Sequence, residues 1–222
     1  MNSLSNASKF IGTFTFRDNE FESLLICCVT IYNEFIANNC KCENKEESIR
    51  DVFFYRLNDD NYRTSHQILQ NYHFEKEPQE NTGYLDIKVK TLNPYRSTKA
   101  FYCIECKRLG ADKALNTEYI KNGICRFVDN YYSLYFDCNA MFGFIINNVH
   151  IQTDIVDDIN SKLNNQYKNT QGKIVCANNI QPLHYINFAN NFHNSFMSTH
   201  KSSSKEITLY HLMFDFSNNI VP

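Results

Sequence analysis

Two carboxylates and an amine are spaced in a way that could do chemistry. Asp86 lies in Gly83-Tyr-Leu-Asp-Ile-Lys-Val-Lys90, which alternates polar and apolar residues with the period of a strand: Leu85, Ile87 and Val89 on one face, Asp86, Lys88 and Lys90 on the other. Glu105 and Lys107 follow in Phe101-Tyr-Cys-Ile-Glu-Cys-Lys-Arg-Leu109, where they share one face with Cys103, opposite Tyr102, Ile104 and Cys106. Two acids brought together on adjacent strands repel, and one is driven to keep its proton unless a cation sits between them. A divalent ion answers this need, because Mg²⁺ takes carboxylate oxygens and keeps several waters. It lowers the pKa of a bound water and polarises a phosphoryl oxygen. A lysine two residues from one acid is placed to orient or deprotonate that water, or to offset charge developing on phosphorus. The plain alternative is a set of solvent-facing charges on an edge strand. Both strands lie mid-chain with apolar partners on their other faces, which favours the chemical reading.

The elements around this trio follow from periodicity. Glu20 to Asn39 predicts a helix with Phe21, Leu24, Leu25, Cys28, Ile31, Tyr32 and Phe35 on one stripe, capped by Asp18 or Asn19. A second amphipathic helix is expected over about Lys45 to Leu57, and a short one around Ser65 to Asn71. After the two motif strands come a helix from Asn116 to about Asn130, opened by Glu118, and a continuous apolar strand from Met141 to Val149. A helix over Asp154 to Lys168 and a last strand over Ile207 to Phe216 complete the pattern. Helices before and after a strand–strand–helix–strand centre predict a mixed β-sheet flanked by helices, an α/β fold, in one domain spanning residues 1–222.

On these residues the chain resembles the PD-(D/E)xK phosphodiesterase superfamily, the restriction-endonuclease-like nucleases, and among them uncharacterised bacterial members. The match runs from Gly83-Tyr-Leu-Asp86 through Ile104-Glu-Cys-Lys107 to the helix that follows, and departs from the family at Leu85, where proline is usual. The resemblance implies a restriction-endonuclease-like fold with a catalytic core over about residues 45–150 and a metal-dependent endonuclease acting on DNA, with RNA not excluded. It implies Asp86 and Glu105 as metal ligands with Mg²⁺ (or Mn²⁺), the Cys106 carbonyl completing the shell, and Lys107 as the catalytic lysine. A third carboxylate from an earlier element is expected, with Glu46 or Glu47, and Glu75 or Glu77, as candidates; Glu47 and Glu77 are preferred. A bacterial or phage setting in restriction or defence fits, as do a homodimer for double-strand cutting or a defence-system partner protein. The rival reading is a non-catalytic nucleic-acid-binding or assembly subunit on the same fold.

Charge placement points to a polyanion more than net charge does. From Gly83 to Arg126 there are nine Lys and Arg, including Arg108, Lys121 and Arg126, against four acids, while the whole chain carries −2. On the helix after the motif, Tyr119, Gly123, Arg126 and Asn130 share a side, so Arg126 is read either as a phosphate clamp with Tyr119 beside the scissile group, or as a solvent-facing side chain. A mid-helix Gly123, costing about 1 kcal/mol relative to Ala, signals close approach to the sheet or to a phosphate backbone, or a glycine tolerated for packing. Tyr95, in the loop Asn93 to Lys99, is read as a base-stacking residue or as part of an ordinary hairpin loop.

Composition sets the outer bounds. A chain of 222 residues with 18 Phe and 14 Tyr buries a large core, which excludes disorder, collagen-like repeats and a disulfide mini-scaffold. Nine cysteines scattered through apolar segments read as reduced thiols of a reducing compartment, with Cys103 and Cys106 on opposite faces of one strand rather than paired on zinc. The longest apolar run, Leu24 to Tyr32, is about half a membrane crossing, and no signal peptide is read at the start, so a soluble cytoplasmic protein is expected. The histidines lack metal-ligand spacing; His211 is expected in the core and His184, His193 and His200 in a polar stretch.

Overall fold

A computed structural model describes residues 19–81, 83–92, 97–187, 189–203 and 205–221. Asp18, Tyr95 and Arg96 lie outside the described residues. The chain opens with α1 (Asn19–Ala37), a short β1 (Cys42–Glu43), α2 (Glu46–Asn58) and α3 (Asp60–Ser65), then a 3-10 turn over Gln67–Asn71. Strands β2 (Tyr72–Lys76), β3 (Gln79–Glu80), β4 (Gly83–Tyr84), β5 (Ile87–Thr91) and β6 (Phe101–Leu109) come next. A composite helix follows: α4 (Lys113–Tyr119), a π turn (Ile120–Ile124) and α5 (Cys125–Val128). Strand β7 (Cys138–Ile145), a π turn (Ile151–Val156) and α6 (Asp157–Lys162) lead to β8 (Gln166–Lys168), β9 (Ile174–Cys176), β10 (Asn179–Tyr185), β11 (Ser195–Ser202), β12 (Lys205–Asp215) and β13 (Ile220–Val221).

The protein is an α/β structure built on a seven-stranded mixed sheet in the order β10-β11-β12-β7-β6-β5-β2. Strands β6, β7 and β12 run parallel at its centre and the outer pairs are antiparallel. Side-chain alternation along the central strands fills two cores. Tyr102, Ile104 and Cys106 of β6, with Phe142 and Phe144 of β7 and Phe214 of β12, meet Phe21 and Leu25 of α1 and Ile49 and Phe53 of α2. Cys103 and Leu109, with Met141 and Met213, meet Tyr119, Ile120, Ile124 and Phe127 of the composite helix and Ile159 of α6. Cys103 and Cys106 thus fall on opposite faces, as a strand period dictates.

Several expected boundaries move, each for a local reason. Asp112 caps the composite helix, its side chain accepting from Ala114 N at 2.9 Å, so the helix starts at Lys113 and not at Asn116. The expected helix to Lys168 ends at Lys162, because β8 pairs with β9 from Gln166 on. The largest departure is in the first motif strand. Gly83-Tyr84 pairs with β3, and the sheet strand proper begins only at Ile87, opposite Ile104. The break at Leu85-Asp86 reverses the phase, so Leu85 joins the core under the composite helix while Ile87 and Val89 pack beneath α1 and α2. Among the described residues no helix is long and apolar enough to cross a membrane.

Candidate functional site

The break in β5 is what makes the site. With no strand residue opposite Cys106, its N–H would lack a ladder partner on that side; the Asp86 carboxylate supplies one, Oδ2 accepting from Cys106 N at 2.8 Å. Asp86 therefore stands at the sheet's open corner, beside the two β6 side chains that face the composite helix. Glu105 there is fully buried, and Lys107 reaches across it. Helix α2 closes the corner from the other layer, its first turn bringing Glu46 to Lys107 Nζ at 2.9 Å. Glu46 Oε2 also accepts from Arg108 N at 3.1 Å.

The Lys107 ammonium is the centre of the arrangement. Its Nζ lies 2.9 Å from Glu105 Oε1, 2.9 Å from Glu46 Oε1, 2.6 Å from the Cys106 carbonyl oxygen and 3.8 Å from Asp86 Oδ2. Each acid has further anchors. Arg126 Nη1 donates to Glu105 Oε1 at 2.8 Å, and Tyr132 Oη donates to Glu105 Oε2 at 2.6 Å. Arg50 Nη1 donates to Asp86 Oδ1 at 3.3 Å and to Glu77 Oε1 at 2.8 Å. Burial drives the Glu105 carboxyl up to about 7, a rise that Asp86 reinforces and that Lys107, Arg126 and the Tyr132 hydroxyl oppose. Burial works against the Lys107 ammonium too, but Glu105, Asp86 and Glu46 around it hold its pKa above the ordinary lysine value. Within the linked network Arg50, Lys76, Lys107 and Arg126 face Glu46, Asp51, Glu77, Asp86 and Glu105, an excess of one negative charge when Glu105 is ionised. Among the described residues, no three His, Cys, Asp or Glu side chains stand grouped to hold a metal ion, and the Lys107 ammonium stands between Glu46 and Glu105.

The residues expected at a site are thus only partly brought together. Asp86, Glu105, Lys107 and the Cys106 carbonyl converge. Glu47 does not: it is exposed, and its neighbour Glu46 takes the inward position, one residue being about a quarter-turn on a helix. Glu77 reaches Asp86 only through the Arg50 guanidinium between them, so it is no direct ligand. Arg108 donates from Nη1 to Asn44, and Lys121 pairs with Glu118 at 3.2 Å. Lys121 lines a small polar cleft with Arg126, Tyr131 and Asn169, adjoining the site through the arginine.

Tyr119 is a plain correction. It is completely buried and its hydroxyl meets His211 Nδ1 at 2.8 Å, so it offers nothing to a nucleic acid. It closes α4, on the face that also buries Asn116 and Ile120, one residue before the π turn begins. Gly123 supports the close-approach reading: a Cβ there would lie 2.4 Å from Met141 Cε and 3.7 Å from Lys107 Cγ, so the missing side chain lets the helix lie against the floor of the site. Arg50 and Tyr132 were not foreseen. For Arg50 the available signal was its place one turn after Glu46 on the same helical face; for Tyr132, just beyond the helix, the sequence carries none.

Comparison with protein-family models, with curated proteins and with solved structures found no match to this chain.

Proposed function

We propose that the protein is a metal-dependent phosphodiesterase, an endonuclease on DNA, with a restriction-endonuclease-like arrangement of β5, β6 and the composite helix. One observation carries the reading: carboxylate oxygens from Glu46, Asp86 and Glu105 and the Cys106 carbonyl oxygen surround a single point at the sheet's broken corner, held by Lys107 Nζ. This donor set, all oxygen and richly anionic, suits Mg²⁺ or Mn²⁺ once the ammonium swings aside. A bound divalent ion would supply an activated water and polarise the phosphoryl group. The chain's own part is to seat the ligands. Lys107, displaced by about its own width, stays close enough to orient the attacking water or meet the charge developing on phosphorus. Arg126 spends Nη1 on Glu105 and Tyr132, while its Nε and Nη2 donate to no described residue, which leaves that edge for a backbone phosphate.

A second reading keeps the fold as a binding or assembly subunit. What favours it is the near-complete pairing of the acids with Arg50, Lys107 and Arg126. The two part in a cleavage assay on supercoiled plasmid and on single-stranded RNA, with Mg²⁺, Mn²⁺ or EDTA. Wild type is expected to nick DNA only with metal, and Glu105→Ala and Asp86→Ala to lose at least about 10³-fold in rate, the scale on which charge-stabilising groups act. Wild type no faster than Glu105→Ala in any metal would leave the binding subunit as the better account.

A further inference from the structure

The structure assigns Arg50 a positioning role: it fixes the Asp86 carboxylate that, on the reading above, holds the metal. Arg50 is 3% exposed and makes contacts on three sides. Its Nε and Nη2 both lie 3.2 Å from Asp51 Oδ1, and Asp51 Oδ2 is held in turn by Lys76 Nζ at 3.1 Å. Its Nη1 is shared by Glu77 Oε1 at 2.8 Å and Asp86 Oδ1 at 3.3 Å. Asp86 is thereby gripped at both oxygens, Oδ1 by the guanidinium and Oδ2 by Cys106 N, so the carboxylate plane cannot turn without breaking a contact.

A buried guanidinium loses several kcal/mol of hydration, and ion pairs recover that only with good geometry. Stability alone would be served as well by an apolar side chain of similar size. What an apolar side chain cannot do is orient Asp86. Arg50 and Glu46 also sit one turn apart on α2, so a single rigid helix delivers one acid to the cation point and the orienting cation of another. Lysine could keep the charge, but it lacks the planar fork that reaches Asp51 and Asp86 together.

The test is a double-mutant cycle read by Mn²⁺ binding, with cleavage followed in parallel. Arg50→Lys retains the charge and is expected to weaken Mn²⁺ binding about ten-fold and slow cleavage about 10–100-fold, the usual cost of losing a ligand's orienting partner. In an Asp86→Ala background the same change should cost nothing further in Mn²⁺ affinity. A merely structural arginine would give equal losses in both backgrounds, and that result would overturn the assignment. Should Arg50→Lys fail to fold, Glu77→Gln removes one strut of the same guanidinium at a half-exposed position. It is expected to weaken Mn²⁺ binding about three-fold in the wild-type background only, and an unchanged affinity would again overturn the role. Wild type that binds no Mn²⁺ and cuts nothing would sink the nuclease reading itself, and the role of Arg50 with it; a cleaving wild type with an uncoupled Arg50 sinks this inference alone.

Discussion

Lys107→Ala is expected to abolish cleavage while tightening the hold on Mn²⁺. The two effects run in opposite directions because Nζ plays two parts. It stands 2.6–3.8 Å from the four oxygens that would take the metal, so it competes for their charge, yet it is also the group placed to assist the attacking water. Unit charges about 4 Å apart interact by about 4 kcal/mol at an effective dielectric of about 20. Removing a repelling ammonium therefore improves affinity by about ten-fold even if most of that figure is lost to screening and relaxation. Metal-free, the variant leaves Glu105 buried with Arg126 as its one remaining cation, beside the Tyr132 hydroxyl, and should lose about 3–5 kcal/mol of stability. Mn²⁺ at about 100 times its dissociation constant should restore about 2.7 kcal/mol of this. Isothermal titration and melting curves with and without Mn²⁺ check all three statements. A variant that binds Mn²⁺ more weakly than wild type would show that the ammonium is not standing in for a cation.

Acidification is the second large effect, and it comes from a different place. His200 and His211 are buried in a chain of hydrogen bonds that links the composite helix to β11 and β12. Its polarity is set at one end. His200 Nδ1 faces the Ala177 carbonyl oxygen at 2.9 Å and must carry its proton there, so His200 Nε2 accepts from the Ser198 hydroxyl at 2.6 Å. Ser198 Oγ then accepts from His211 Nε2–H at 2.6 Å, which leaves His211 Nδ1 to accept from the Tyr119 hydroxyl. Every group is satisfied with both rings neutral, and an added proton breaks the order. Burial lowers His200 to about 4, and burial with neighbouring His200 and His184 holds His211 well below the usual histidine value.

Because both folded-state values are depressed, the unfolded chain takes up protons first. The stabilisation is fully present above pH 6.5 and is lost as pH falls toward 4, for His200 by about 3 kcal/mol. Glu105 opposes this: its raised value means the metal-free folded state keeps a proton between pH 4.5 and about 7, so its contribution declines as pH rises. Metal-free stability between pH 5 and 6 is therefore expected to fall on acidification, more steeply in Glu105→Gln than in wild type and less steeply in His200→Asn. Urea titrations across that range decide it. Stability that stays level or rises on acidification in Glu105→Gln would contradict the neutral chain.

Much of the scaffold was legible because burial imposes its period on the sequence. The apolar stripes of α1 and α2 and the continuous run of β7 pointed to their elements within a few residues. The phasing of β6 likewise placed Glu105 and Lys107 on one face. What stayed hidden were features that depend on a single residue's step. The phase reversal at Leu85-Asp86 looks like unbroken alternation, yet it opens the corner where Asp86 substitutes for a strand. The choice of Glu46 over Glu47 turns on where α2 begins, and Tyr119 goes inward to meet His211, a partner 92 residues away that no local spacing announces. His200 and Ser198 looked like part of a polar stretch; they belong to a strand whose inner face is polar because its partners are polar as well.

The most direct measurement is an anomalous difference map from crystals soaked in Mn²⁺. The account predicts one strong peak at the broken corner of the sheet, about 2 Å from oxygens of Asp86 and Glu105 and from the Cys106 carbonyl, with the Lys107 head moved off Glu46. No peak there at saturating Mn²⁺, with Lys107 still bonded to Glu46 and Glu105, would contradict it.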